Sequence, residues 1–247
     1  MKLTVGPLLI LLFIAIKSFS QQTVEVVETV DKQFKDKNVY SVLKENKSIK
    51  QGLYQHYRRD NVIHSGYYKM DKKDSTWQRS DTRGRVMSQK SYAENRRTGV
   101  WTFFENDGKI ALQYDFNKNE FLTQLPDSVI VDSYLSSGGE WIKDKADREP
   151  VWLRSKSEWI AFLNTTLRYP MDAIDNNKSG VVMVTVTIDE EGNAIDYQVE
   201  KSIFPALDNE SIRVVRLFQP EFLPAEKDGK KVKSKIKIPM VFRMEVG

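Results

Sequence analysis

Between Gly180 and Lys201 apolar and polar residues alternate strictly. Val182, Val184, Val186 and Ile188 form one wholly apolar strand face, and Asp189-Glu-Glu-Gly192 is a turn. Ile195, Tyr197 and Val199 then carry the alternation back, with Asp196, Gln198 and Glu200 opposite. Alternation on both sides of a short acidic–glycine turn predicts a β-hairpin. The period then becomes helical: Leu207, Ser211, Val214, Val215 and Phe218 share a face. Asp208 and Glu210 near the start of this helix and Arg213 and Arg216 toward its end suit the helix dipole, and Pro220 ends it. Upstream, Ser157 is placed to cap a helix whose stripe is Trp159, Ile160, Phe162 and Leu163, and Tyr169-Pro170 opens another turn. The last strand, Lys231–Phe242, sets Val232, Ile236, Ile238, Met240 and Phe242 on one face and Lys231, Lys233, Lys235 and Lys237 on the other, with Arg243 following on the lysine side. Pro239 restricts that strand to an edge, a bulge or an end. The predicted order is helix, strand, strand, helix, strand: a small two-layer α/β module with a three-stranded antiparallel sheet and two helices.

The preceding region repeats. Gly52-Leu-Tyr54, Ser75-Thr-Trp77 and Gly99-Val-Trp101 recur at spacings of 23 and 24, and Tyr68, Tyr92 and Phe116 at 24 and 24. Polar turn clusters such as Arg59-Asp-Asn61, Asp81-Thr-Arg-Gly84 and Asn106-Asp-Gly-Lys109 fall between them. Two short strands per unit predict successive hairpins in one extended antiparallel sheet. The fold class is therefore α+β: a leader segment over 21–51, whose apolar pattern Val24-Glu-Val-Val27 alternatively marks a first strand, a β-repeat domain over 52–120, a connector over 121–155 holding one strand at Ser128–Tyr134, and the α/β module over 156–247. Trp77, Trp101, Tyr68 and Tyr92 are expected to pack between hairpins rather than meet a ligand.

Composition adds a compartment. Residues 1–20 read as a signal peptide: Lys2, the apolar run Pro7–Ile16, and Ser18 and Ser20 before a cut at Gln21. The run is short of the roughly 20 residues a spanning helix needs, and the alternative is an uncleaved leader anchoring the chain in the inner membrane. Losing Lys2 and Lys17 takes the 38 basic residues to 36 against 34 acidic ones, too balanced for a nucleic-acid partner. With no cysteine, an exported chain folds without disulfides.

Catalytic chemistry finds no footing. The only two histidines, His56 and His64, lie inside the repeats, and no metal-binding pattern or phosphate-binding glycine loop occurs. Asp189–Gly192 has too few oxygen ligands for a calcium loop. The expectation is no enzyme, no catalytic residue, no metal, no cofactor and no small-molecule substrate.

Two stretches carry resemblances. Gly99-Val-Trp101-Thr-Phe-Phe104 with Asn106-Asp-Gly108 is the closest unit of a repeat region that resembles MORN-type variants. Tyr169-Pro170-x-x-Ala173, Gly180-x-Val182-x-Val184, Asp189–Gly192, Ser202-x-x-x-Ala206-Leu-Asp208-x-x-Ser211-Ile-Arg213, Phe222-Leu-Pro224, Asp228-Gly-Lys230 and Pro239-x-x-Phe242 together resemble the C-terminal domain of the TonB family. That resemblance implies a periplasmic domain whose last strand accepts an extended segment of an outer-membrane receptor, or of another envelope protein, by strand addition. It places the partner-binding positions at Lys233, Ser234, Lys235, Ile236, Lys237 and Ile238, with Tyr169 and Pro170 nearby. The chain lacks the family's proline-rich spacer and carries β-repeats instead, so holding a partner is expected and pulling on it is not. Two other readings stand beside it. The lysine row can simply protect an edge strand from aggregation. The chain can also be an envelope structural or assembly protein that binds through its repeats and forms a homodimer through the TonB-like domain.

Overall fold

The computed structural model describes residues 22–32, 35–124, 134–137, 140–143 and 146–244. The leader at 1–20, and the strand expected at Ser128–Tyr134 except for Tyr134 itself, lie outside them.

Nine strands run up and down in sequence order as one antiparallel sheet. They are β1 (Thr23–Asp31), β2 (Asp36–Leu43), β3 (Lys50–Arg58), β4 (Asn61–Lys69), β5 (Lys72–Ser80), β6 (Val86–Ala93), β7 (Arg96–Phe104), β8 (Ile110–Asp115) and β9 (Glu120–Gln124). The sheet thus begins about one hairpin before the expected repeat domain: residues assigned to a leader form β1 and β2. The repeat is physical. Gly52, Ser75 and Gly99 all take positive φ at the same point of successive units. Asp71 and Asn95 accept the backbone N–H of Lys50 and Lys73 on their side-chain oxygens at 2.6 Å, and Asn117 accepts that of Gly99 at 3.1 Å. The indole N–H groups of Trp77 and Trp101 donate to the carbonyls of Tyr67 and Ser91, which joins each hairpin to the next. Trp77, Tyr92 and Trp101 are buried core as expected, Tyr68 packs against them partly buried, and Phe103 and Tyr114 join the cluster.

Gly66 on β4 lies directly beneath Trp77, and an added Cβ would stand 2.1 Å from the indole. Trp77 is 2% exposed and has no room to retreat. Gly66→Ala is therefore expected to destabilise the chain by about 1–3 kcal/mol, read from its urea unfolding midpoint.

The C-terminal module is built from β10 (Tyr134–Ser137), β11 (Glu140–Ile142), β12 (Val151–Trp152), α1 (Lys156–Thr166), α2 (Met171–Asp175), β13 (Gly180–Ile188), β14 (Ala194–Lys201), α3 (Pro205–Phe218), β15 (Phe222–Leu223), β16 (Ala225–Lys227), β17 (Lys230–Val232) and β18 (Ser234–Phe242). Its principal sheet has the order β11-β10-β18-β13-β14. The three predicted strands are its right-hand part; β10 and β11, drawn from the connector, add two more. The apolar face of α3, Leu207, Ser211, Val214, Val215 and Phe218, is buried as predicted. It lies on Val182, Val184, Val186, Ile188, Ile238, Met240 and Phe242 from the sheet.

Three local expectations are corrected. The cap of α1 is Ser155, whose hydroxyl accepts from the Glu158 N–H at 2.9 Å, and Ser157 lies inside the helix. The Ser157 hydroxyl is engaged instead with the Glu105 carboxylate on the repeat domain and the Asn106 N–H. Pro170 caps α2 from outside rather than starting it. The expected strand Lys231–Phe242 is two strands: β17 turns back on β16, and β18 starts at Ser234.

Candidate functional site

β18 pairs with β13 along its whole length, from Ser234 opposite Ile188 to Phe242 opposite Gly180. On its other side, among the described residues, β10 covers the start, with Leu135 opposite Ser234 and Tyr134 opposite Lys235. In an antiparallel ladder each residue turns both its N–H and its C=O to one side, and successive residues alternate. The Ser136 N–H donates to the Lys233 carbonyl at 2.9 Å, which turns Lys233, Lys235, Lys237, Pro239 and Val241 toward the β10 side. Ser234, Ile236, Ile238 and Met240 turn toward β13. Pro239 fits this register, because the one missing donor of the strand falls where β13 needs none.

Among the described residues, the unpaired stretch of this edge is consequently narrower than the span Lys233–Ile238 expected from the sequence. Lys233 and Lys235 already face β10, and the backbones of Ser234, Ile236 and Ile238 are taken by β13. Lys237 alone of the six strand positions directs its backbone to a stretch with no described neighbour. Pro239 and Val241 continue that stretch.

The lysine row has its own partners. The Lys235 ammonium lies 4.1 Å from the centre of the Trp141 ring. Lys237 bonds Glu200 at 2.7 Å across β13 and lies over Tyr134. The Glu200 carboxylate holds the Lys237 ammonium above its ordinary pKa. Past Lys237 the same face becomes apolar. Val241 and its cross-strand neighbour Val181 are 45% and 36% exposed, beside Met183 and Pro239.

Tyr169 stands at that apolar end. Its ring meets Phe242 edge-on at 5.6 Å and its hydroxyl donates to the Lys178 carbonyl at 2.7 Å. The structure therefore brings Tyr169 and Pro170 to the open end of β18, roughly 24 Å along the strand from Lys235.

The repeat sheet docks on this module through charges that the sequence analysis did not single out. Glu221, just before β15, accepts from Lys90 at 2.7 Å and from the Tyr92 hydroxyl at 2.8 Å. Burial raises its pKa, but Lys90, Arg97 and Lys73 overcome that and hold it at about 2. Arg97 donates to the carbonyls of Phe222 and Gly192 at 2.5 and 3.0 Å. Leu153 and Leu223 complete the contact by packing into the aromatic core of the repeats. His56 and His64 face one another across β3 and β4. Burial lowers the pKa of both, that of His64 further, with the charges of Arg79 and Lys73 adding to it. Among the described residues no three metal-ligating side chains cluster.

Residues 165–244 match the family described as the Gram-negative bacterial TonB protein C-terminal. Residues 165–244 form a TonB C-terminal domain. The match spans α2, β13, β14, α3 and β15 to β18, about a third of the chain. The solution structure of the TonB C-terminal domain from Helicobacter pylori is 19% identical, with 38% of this chain and 87% of that one covered and a TM-score of 0.27. No curated protein matches the sequence. No helix among the described residues is long and apolar enough to cross a membrane.

In the TonB C-terminal domain of this chain, sequence reasoning missed Val241 and Pro239 as edge positions. The signal was present: Pro239 fixes which parity of β18 faces outward, and Val241 shares it.

Proposed function

We propose that this is a periplasmic binding protein, without catalytic activity, whose TonB C-terminal domain takes an extended segment of an outer-membrane receptor or another envelope protein onto the outer edge of β18. The observation that carries it is the parity of that strand: Lys237 and Val241 present N–H and C=O, and Pro239 a C=O, on the side away from β13. An added strand gains affinity from these main-chain bonds and selectivity from the side chains it sets beside Pro239 and Val241. The exposed Val181–Val241 pair favours an apolar residue there. Lys235 and Lys237, held by Trp141 and Glu200, favour an acidic or polar residue toward the other end.

Extended peptides carrying an apolar residue at one end and an acidic one at the other test this by calorimetric titration against the full chain. Binding that is lost when the peptide backbone is N-methylated at alternate positions is expected. Absence of heat at millimolar peptide would remove the proposal. A second copy of the chain competes for the same edge, and a sedimentation coefficient that rises with protein concentration would give the edge to self-association instead.

A further inference from the structure

At the same position of each repeat unit stands a cation over aromatic rings, and Lys90 lies over Trp101 and Phe103 as well. Lys50 Nζ lies 5.0, 5.2 and 6.0 Å from the ring centres of Tyr40, Tyr68 and Tyr54. Lys73 Nζ lies 5.0 Å from both Trp77 and Tyr92. Arg97 lies 5.6 and 5.9 Å from Trp101 and Phe116. The three belong to β3, β5 and β7 and form a row, each about 10 Å from the next, since two strand spacings separate them.

The row is used unequally. Arg97 spends its N–H groups on the Phe222 and Gly192 carbonyls and the Asn193 side chain, which is how the TonB domain sits on the sheet. Lys50 and Lys73 have no carboxylate within 4 Å and no hydrogen-bond acceptor for Nζ among the described residues. Both line a cleft of about 880 Å³ between the sheet, α1 and the end of α3. Lys73 also lines the adjoining cavity of about 250 Å³ against Glu221. The four acids on the wall of the larger cleft are already matched: Asp31 by Arg168, Asp36 by Arg58, Asp81 by Arg85 and Glu158 by Arg79. Of the eight cations on that wall, Arg58, Arg79, Arg85 and Arg168 match those acids and Arg213 is paired with Glu210 at 2.6 Å, which leaves Lys50, Lys73 and Arg83 in excess.

A cation–π contact is worth about 0.5–2 kcal/mol. Withdrawing an ammonium from water without a counter-charge costs several. The aromatic seats thus explain where Lys50 and Lys73 point but not why two half-buried ammonium groups are kept with no carboxylate in direct contact. Burial lowers the pKa of Lys73, with Glu221 pulling the other way and Lys90, Arg79 and Arg97 adding to the lowering.

We propose that the cleft is a binding site for an elongated anion bearing two carboxylates about 10 Å apart, one held by Lys50 and the other by Lys73. Each carboxylate does for its lysine what the Phe222 and Gly192 carbonyls do for Arg97. The site lies on the repeat sheet and is independent of the β18 edge.

A series of unbranched dicarboxylates from succinate to azelate, with hexanoate as the single-charge control, is titrated into the full chain by calorimetry. Azelate is expected to bind best, with affinity falling as salt rises. Lys50→Gln and Lys73→Gln are each expected to weaken it roughly tenfold or more, as loss of a charged hydrogen bond should. Lys73→Arg is expected to retain binding, as is Lys72→Gln, whose exposed side chain pairs with Glu94 at 3.5 Å on the opposite face. Thermal melts of each variant check folding; should Lys73→Gln fail to fold, Lys50→Gln and the length series decide. Equal affinity for hexanoate and azelate, no binding at millimolar azelate, or unchanged binding in Lys50→Gln would overturn the proposal.

Discussion

Replacing Glu221 with alanine is expected to lower the free energy of unfolding by about 3–5 kcal/mol, measured by urea titration of the full chain. Lys90, Arg97 and Lys73 all lower the pKa of this carboxylate, and the Tyr92 hydroxyl donates to it. Removing it leaves the Lys90 ammonium, whose side chain is 15% exposed, without its counter-charge, and the Tyr92 hydroxyl without its acceptor. It also loosens the seam through which the repeat sheet holds the TonB domain, because Arg97 grips the adjacent Phe222 carbonyl.

Acid should act on the same latch. The folded-state pKa of Glu221 is depressed from 4.5 to about 2, so its contribution is fully present above 4.5. It is lost progressively as pH falls from there through about 2. A shift of that size corresponds to about 3 kcal/mol. Glu221→Gln is therefore expected to flatten the acid limb of the stability curve in that window. A variant that costs under about 1 kcal/mol, typical of an exposed ion pair, and keeps the wild-type acid limb would show that the contact is ornamental.

Val241→Pro is expected to reduce affinity for an extended peptide roughly tenfold, with little change in the melting temperature. The Val241 N–H points away from β13, so proline there removes a donor that the folded chain does not use. Proline already stands two residues earlier with the same parity, and the residue between is extended, as a residue before proline prefers. Met240→Pro makes the opposite case. Its N–H turns toward β13 and its side chain is buried, so the ladder and the core both suffer and the melting temperature drops. If both prolines behave alike, the parity assigned to β18 is wrong.

Much of the fold was legible because its signals are local. The β13–β14 hairpin, the buried face of α3 and the apolar face of β18 each follow from alternation or helical period within a dozen residues. The repeat was legible from Trp77 and Trp101 because an indole between hairpins must recur where the hairpins do. β1 and β2 were obscured because β1 is a sheet edge: Val27 and Val30 are exposed, so its pattern lacks a clean apolar face. β10 and β11 are four and three residues long, and β10 joins the sheet by pairing with a strand about a hundred positions away, which no local window reports. The latch was unreadable for a different reason. Lys90, Arg97 and Glu221 look like solvated surface charges in the sequence, and only tertiary contact between β6, β7 and the segment before β15 buries them. The candidate site was half legible: the strand and its lysines were identified, but which residues face outward depends on a register that Pro239 hints at and β10 decides.

Amide hydrogen exchange of the isotopically labelled full chain, recorded by NMR with and without an extended apolar–acidic peptide, tests strand addition at the β18 edge most directly. Without peptide, the amides of Ile236, Ile238 and Met240 should be protected by β13 while those of Lys237 and Val241 exchange fast. With peptide, Lys237 and Val241 should become protected and show contacts to the peptide backbone, and Tyr134 to Ser136 should remain as they were. Protection of Lys237 and Val241 before any peptide is added, or release of Tyr134 to Ser136 when it is, would contradict strand addition at an open edge.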